Sequence, residues 1–361
     1  MQSHNAKLKA VFIFTLSALF LFGCAQNVDL REQARESKAK EQSLSAFENS
    51  VDLKEEKNNQ LLENNATEKK PIRILFVGDM MFDRHIREAV EKYGGPARIP
   101  MSASGSEAGK DYNYILEPVK ESLSQYDLVV GNLEGPITGN KSVSVATKMD
   151  ERNNFIFTFD PSVAQVLAEN NIKLVDLGNN HILNQGEKGV EQTKKYLDEA
   201  GVGYFGDTGN DESSTLVKDF REIKIGFVSY NYSVPNSIEI AVENIKSARE
   251  QSDVVIVCSH WGTEYKTGDP GATIRALAHR FIDAGADAII GTHPHVVQTS
   301  EEFQGKKIYY SLGNFIFDQY FQKETMEGLG AEVMIKSDGT IEYNELKFEM
   351  TKKGQTMKLA N

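Results

Sequence analysis

The stretch "DAIIGTHPHVV" (287–297) decides how this chain is read, because a β-branched apolar run stops in His293 and His295 with Pro294 between them. The run has the length and composition of a strand covered on both faces. Two histidines at i and i+2 in an extended segment point to the same face. Pro294 fixes the backbone between them and withdraws its N–H. That predicts two imidazoles gripping one metal, or one each on two adjacent metals. The alternative is a pair of hydrogen-bonded core histidines, so the other strands must decide.

Six further runs have the same character: "IRILFVG" (72–78), "DLVVG" (127–131), "IKLVDLG" (172–178), "IKIGFVSY" (223–230), "DVVIVCS" (253–259) and "KIYYSLG" (307–313). Helical stretches separate them. "PSVAQVLAENN" (161–171) opens with Asp160 as N-cap and Pro161 at the first helical position. "GEKGVEQTKKYLDEAGV" (186–202) and "GATIRALAHRFIDAGA" (271–286) both end in a glycine C-cap. "AEVMIKSDGTIEYNELKFE" (331–349) is a closing hairpin about Asp338-Gly339. Alternating strand and helix predict one layered α/β domain over 71–350, followed by a tail, 351–361.

The chemistry collects where strands end, which in open α/β sheets is the ligand-binding edge. Asp79 follows the first run, Asn132 and Glu134 the second, Asn179-Asn180-His181 the third. His260, Trp261 and Glu264 follow "DVVIVCS", and Asn314 follows "KIYYSLG". Asp79, Asn132, Glu134, Asn180, His260, His293 and His295 are the candidate metal ligands. Imidazole mixed with carboxylate and carboxamide, without thiolate, suits one or two Mn, Zn or Fe ions. Arg84 would lie near the positive N-terminal end of the next helix, where an anionic group is favoured. Arg84, Trp261, Glu264 and Asn314 are the candidate substrate contacts, with packing as the plainer role for Trp261. His279 sits mid-helix, and His85 follows Arg84 away from any strand end.

The 361 residues carry 40 basic and 52 acidic side chains, and this acidic balance leaves no basic face for nucleic acid. "KLKAVFIFTLSALFLFGC" (7–24) has two lysines, a short apolar run and a small residue before Cys24, which describes an export signal over 1–23. Its Leu-x-Gly-Cys ending resembles the bacterial lipobox, which implies lipidation of Cys24 and a membrane-anchored, extracytoplasmic protein. Loss of Lys7 and Lys9 with the signal would take the net charge from −12 to −14. Cys258, inside an apolar run, is a small core residue and has no disulfide partner if Cys24 carries lipid. Residues 24–70, rich in Glu, Lys, Gln, Asn and Ser, form a linker between membrane and domain.

The blocks "GDMMFDR", "GNLEGPIT", "GNNHILNQG", "HWGTEY", "GTHPHV" and "YSLGNFIFD", in that order from about 75 to 318, resemble the bacterial capsule-synthesis CapA (PgsA) family, associated with poly-γ-glutamate capsules. That family is similar to the calcineurin-like metallophosphoesterases, which implies a four-layer α/β/β/α fold. By position, Asp79 matches the first-strand Asp, Asn132 with Glu134 the bridging acid, Asn180-His181 the "GNH" block, and His293 and His295 the "GHxH" pair. The resemblance implies His181 as a general acid; Arg84, from its place near the helix N-terminus, is the second candidate catalytic residue. It also implies an anionic capsule polymer or a phosphoester as ligand, and capsule-synthesis membrane proteins as partners. The chain departs from the pattern at Met81, where the phosphoesterases have His, at Asn132, and at Asn184, where the capsule family more often has Asp. Each missing acid or imidazole lowers charge compensation for a second cation.

Overall fold

A computed structural model of the chain describes residues 70–95, 111–206 and 214–360. The signal, Cys24 and nearly all of the linker lie outside the described residues. Two sheets carry the fold. The first contains β1 (Ile72–Met80), β2 (Leu128–Leu133), β3 (Ile172–Asp176), β4 (Gly203–Phe205), β11 (Asn314–Ile316), β12 (Glu327–Ile335), β13 (Ile341–Met350) and β14 (Thr356–Lys358). Their order is β14-β13-β12-β1-β2-β3-β4, with β11 pairing the end of β1. The second contains β5 (Thr215–Phe220), β6 (Ile223–Asn231), β7 (Val254–His260), β8 (Ala288–Thr292), β9 (Ser300–Phe303) and β10 (Lys306–Tyr309), in the order β5-β6-β7-β8-β10-β9.

Alternation along each strand explains the layering. Ile74, Phe76, Leu128, Val130 and Leu174 of the first sheet meet Ile225, Phe227, Val254, Ile256 and Ile290 of the second in one buried cluster. The intervening residues face outward. Leu75, Val77, Val129 and Val175 pack against α1 (Arg84–Tyr93), α2 (Ser162–Glu169) and α3 (Gly186–Ala200) through Ile86, Val90, Val163, Leu167, Val190 and Leu197. Val228, Val255, Val257 and Ile289 pack against α4 (Ser237–Gln251) and α5 (Ala272–Asp283) through Val242, Ile245, Ala278 and Phe281. The result is the α/β/β/α stack that the family resemblance implies. Both faces of the central strands β1, β2, β7 and β8 are covered, which is why they are continuous apolar runs.

Local signals behave as their chemistry requires, with small displacements. Pro161 already has helical angles, and Asp160 Oδ1 accepts the Ser162 N–H at 2.9 Å. Gly201 closes α3 in the left-handed region, φ +71°. The second expected glycine cap is shifted: α5 ends on Ala284 in a right-handed conformation, and Gly285 takes the positive φ one residue later. Residues 336–340 form the tight hairpin between β12 and β13, with Gly339 at φ +83°. The segment beyond Met350 returns as β14 and pairs with β13.

Register places the site. At the ends of parallel neighbours, Asp79 stands opposite Asn132 on β2 and opposite Asn314 on β11. In the second sheet His260 stands opposite Asn231 and Thr292. Both sheets therefore end their central strands in polar residues at one rim.

Candidate metal centre

Asp79, Glu134 and His295 are buried, and one ligand atom from each lies within 4.8 Å of the others. His295 Nδ1 is 3.1 Å from Asp79 Oδ2, and its Nε2 is 3.5 Å from Glu134 Oε1. His181 approaches the same Glu134 oxygen with Nε2 at 3.9 Å. The His260 and His293 ring centroids are 4.6 Å apart, and those of His293 and His295 6.1 Å. His260 Nε2 meets Asn180 Oδ1 at 2.7 Å. The Asn132 amide nitrogen stands among three acceptors: Asp79 Oδ1 at 2.7 Å, Glu134 Oε2 at 3.3 Å and His260 Nδ1 at 3.3 Å. All seven expected ligands thus converge, from strands separated by more than two hundred positions.

The histidine pair converges by a different route from the expected one. β8 stops at Thr292, and His293 and His295 adopt φ of +92° and +58°. They lie on a tight left-handed turn, not on an extended strand. Such angles cost about 1–3 kcal/mol per residue. Each buried Val, Leu or Phe around them contributes about 1.5–3 kcal/mol, so the core readily holds the turn in place.

Electrostatics separate the two carboxylates. Burial alone would push the Asp79 carboxyl up, but the hydrogen bond from His295, with that of the Asn132 amide, holds it well below the usual carboxylate range. Glu134 moves the opposite way, well above its ordinary value, because burial and then the Asp79 charge disfavour a second anion. Burial lowers His260 strongly and takes His181 and His293 down to about 4. These three imidazoles are therefore neutral at neutral pH, the form that ligates a metal. Among the seven ligand candidates, two buried atoms accept no hydrogen bond: Glu134 Oε1 and His293 Nδ1. Acidic oxygens, neutral imidazoles and two unsatisfied acceptors together fit a divalent cation.

Several expected roles change. Trp261 is fully buried, stacked on Phe281 with its indole N–H donating to Tyr310 O at 2.9 Å, so it is core and not a substrate platform. Asn314 is fully buried as well and touches no open space. Its Oδ1 lies 3.0 Å from His295 Nδ1, while its amide donates to the Gln319 side chain and the Thr325 carbonyl. It orients a ligand instead of meeting a substrate. Arg84 begins α1 at φ +50°, and its buried guanidinium pairs with Asp318 and donates to Asn154 Oδ1 at 2.9 Å. Its charge is already matched. Glu264 stays exposed at the rim. His85 is exposed beside Glu88, and His279 bonds Glu301 on the far side of α5. Cys258 is buried, as its apolar run predicts.

Three contributors were given no site role from the sequence. Asn179 donates to Asn132 Oδ1 at 3.0 Å and fixes that amide. Asp318 anchors Arg84, and Tyr232 lies over His293 with centroids 4.7 Å apart. Asn179 and Asp318 lie inside the quoted blocks "GNNH" and "GNFIFD", a usable signal. Tyr232 has none, since its role depends on β6, β7 and β8 lying in that order in one sheet, which brings the ends of β6 and β8 within reach of each other.

The model of a family described as bacterial capsule synthesis protein PGA_cap matches residues 73–319, which span the whole rim. The chain belongs to the PGA_cap family. Among its relatives are the PGA biosynthesis protein CapA of Bacillus subtilis, 32% identical over 282 residues, covering 73% of this chain and 68% of that one. The capsule biosynthesis protein CapA of Bacillus anthracis is 28% identical over 295 residues, covering 76% and 66%. The chain thus spans about two thirds of the length of either. Of solved structures, a hypothetical protein from Thermus thermophilus superposes on this PGA_cap chain with a TM-score of 0.46 at 17% identity, covering 77% of this chain and 99% of that one. The sulfate thiohydrolase SoxB of Thermus thermophilus gives 0.41 at 12%, covering 80% and 57%. At these scores neither likeness bears on function.

Proposed function

We propose that the protein is a lipoprotein anchored through Cys24 at the extracytoplasmic face of the cell membrane, where it supports synthesis or export of poly-γ-glutamate capsule polymer through a metal-holding site. Family membership supports the capsule role. The observation that carries the site is the buried Asp79–Glu134–His295 cluster, beside which Glu134 Oε1 and His293 Nδ1 lack hydrogen-bond partners. Leaving such atoms buried and unsatisfied costs about 1–3 kcal/mol each. Asp79, Glu134, His260, His293 and His295, with Asn132 and Asn180, would hold one or two Mn, Zn or Fe ions. A bound ion would supply a Lewis-acid anchor for an anionic group. The net charge of −14 without the signal repels a polyanion at long range, so capture of the polymer is local or shared with capsule-synthesis membrane proteins.

A second reading is a metal-dependent phosphoesterase or other envelope hydrolase, favoured by His181 standing 3.9 Å from Glu134 at the edge of the cluster. His181 is neutral near pH 7, so it would accept a proton first and donate to the leaving oxygen only afterwards. Elemental analysis of the purified full chain, with a phosphodiester assay in the presence and absence of Mn, tests both. Metal bound without turnover fits the capsule-support role. Turnover abolished by His293→Ala in folded protein fits the hydrolase. Protein that takes up no metal on reconstitution sinks the metal site in either reading.

A further inference from the structure

A cavity of about 480 Å³ opens beside the cluster, between the loop 144–155 and the segment 318–321. Tyr265 links the two: it lines the cavity, and its ring centroid is 6.0 Å from that of His295. Gln319, another wall residue, accepts from Asn314, which in turn holds His295. Three of the nine exposed large apolar side chains among the described residues line this one cavity: Met149, Phe155 and Phe321. Apolar groups left in water and gathered at one opening mark a ligand surface.

The charges of the walls narrow the ligand. Asp318 is matched by Arg84, and Glu88, behind the wall, lies against the His85 ring and accepts the Ala146 N–H at 3.2 Å. Lys148 remains, exposed and without a carboxylate partner among the described residues. One unmatched positive charge over an apolar floor, in a chain of net charge −12, suits a monoanion on an aliphatic stem. A phosphate dianion would leave excess negative charge beside Asp318.

We infer that this cavity is a subsite for carboxylate-bearing aliphatic units of a chain passing the rim, with Lys148 meeting the carboxylate and Met149, Phe155 and Phe321 covering the stem. The choice of a glutamate chain as probe rests on the capsule reading; the geometry of the cavity does not. Calorimetric titration of the full-length chain in detergent with a γ-linked glutamate tetramer tests it, with an α-linked tetramer and phenyl phosphate as comparison probes and metal content measured on every sample. Both tetramers carry the required unit, so the linkage preference reports which chain is natural. The γ-linked tetramer is expected to bind, about tenfold more weakly after Lys148→Glu and severalfold more weakly after Phe321→Ala, with metal content unchanged. Both substitutions are at exposed positions and leave the core intact. Binding that ignores both variants, no binding of either tetramer, or tighter Lys148-dependent binding of phenyl phosphate overturns the subsite. Lys148-dependent tetramer binding by metal-free protein supports the subsite while removing the metal from the proposed function.

Discussion

Asn314 shows how much of this site is held one layer behind the ligands. Its carboxamide oxygen fixes His295, and both amide protons are used on the backbone and on Gln319. Asn314→Ala is expected to weaken metal binding about 10–100-fold, the usual loss when a ligand's orienting partner is removed. A competition titration against a metallochromic chelator reads this directly, and unchanged affinity would show that His295 needs no such support. Asp176 makes a different residue-level argument. It is fully buried at the end of β3, and burial pushes its carboxyl up to about 7 despite hydrogen bonds from Gly178 N and Ser229 Oγ. The folded state therefore keeps a proton that the unfolded chain releases near pH 4. Its stabilising share is whole below that value and is lost as pH rises towards 7. Asp176→Asn retains an acceptor for both donors without the titration. The variant should gain about 2 kcal/mol on the wild type between pH 5 and pH 8 in denaturant unfolding. A pH-independent difference would refute the assignment.

At the scale of elements, close packing at the strand ends explains which glycines cannot change. A Cβ on Gly78 would stand 1.9 Å from the Gly313 carbonyl oxygen, backbone against backbone, where β1 meets β11. Gly78→Ala should cost about 3 kcal/mol or more, since neither strand can move without shifting Asp79. Gly139→Ala is the matched control: the nearest atoms lie 3.9 Å away and its φ is ordinary, so a change within about 0.5 kcal/mol is expected. Equal midpoints for the two variants in urea would show that β1 and β11 are loosely joined. The elements themselves were largely readable. Each of the seven apolar runs became a strand, because a strand covered on both faces leaves an uninterrupted apolar signature. The short strands β4, β5, β9, β11 and β14 were not foreseen. β4, β5, β9 and β14 end their sheets and are only partly covered, while β11 is buried but three residues long, too short to leave a pattern, so pairing alone makes them strands.

For the whole molecule, the site lies where two sheets end together, so a cation bound there ties the sheets to each other. Occupancy should raise the unfolding temperature: metal at a hundred times its dissociation constant adds about 2.7 kcal/mol, or roughly 5 °C for a domain of this size. Differential scanning calorimetry with Mn and then with EDTA should show the rise and its reversal. A melting temperature indifferent to both would argue that Asp79, Glu134 and His295 satisfy one another without an ion.

By itself, the order of residues determined the layered class, the seven central strands and the set of polar groups waiting at their ends, since these follow from local periodicity and from what interrupts it. It also carried the family resemblance, because motif blocks are linear. Tertiary packing decided the rest. The left-handed turn at His293 and His295, the burial of Trp261, the supporting place of Asn314 and the pairing of Arg84 with Asp318 all depend on contacts between segments far apart in the chain. No window of sequence contains those partners, and burial, which sets each group's charge and orientation, belongs to the assembled layers alone.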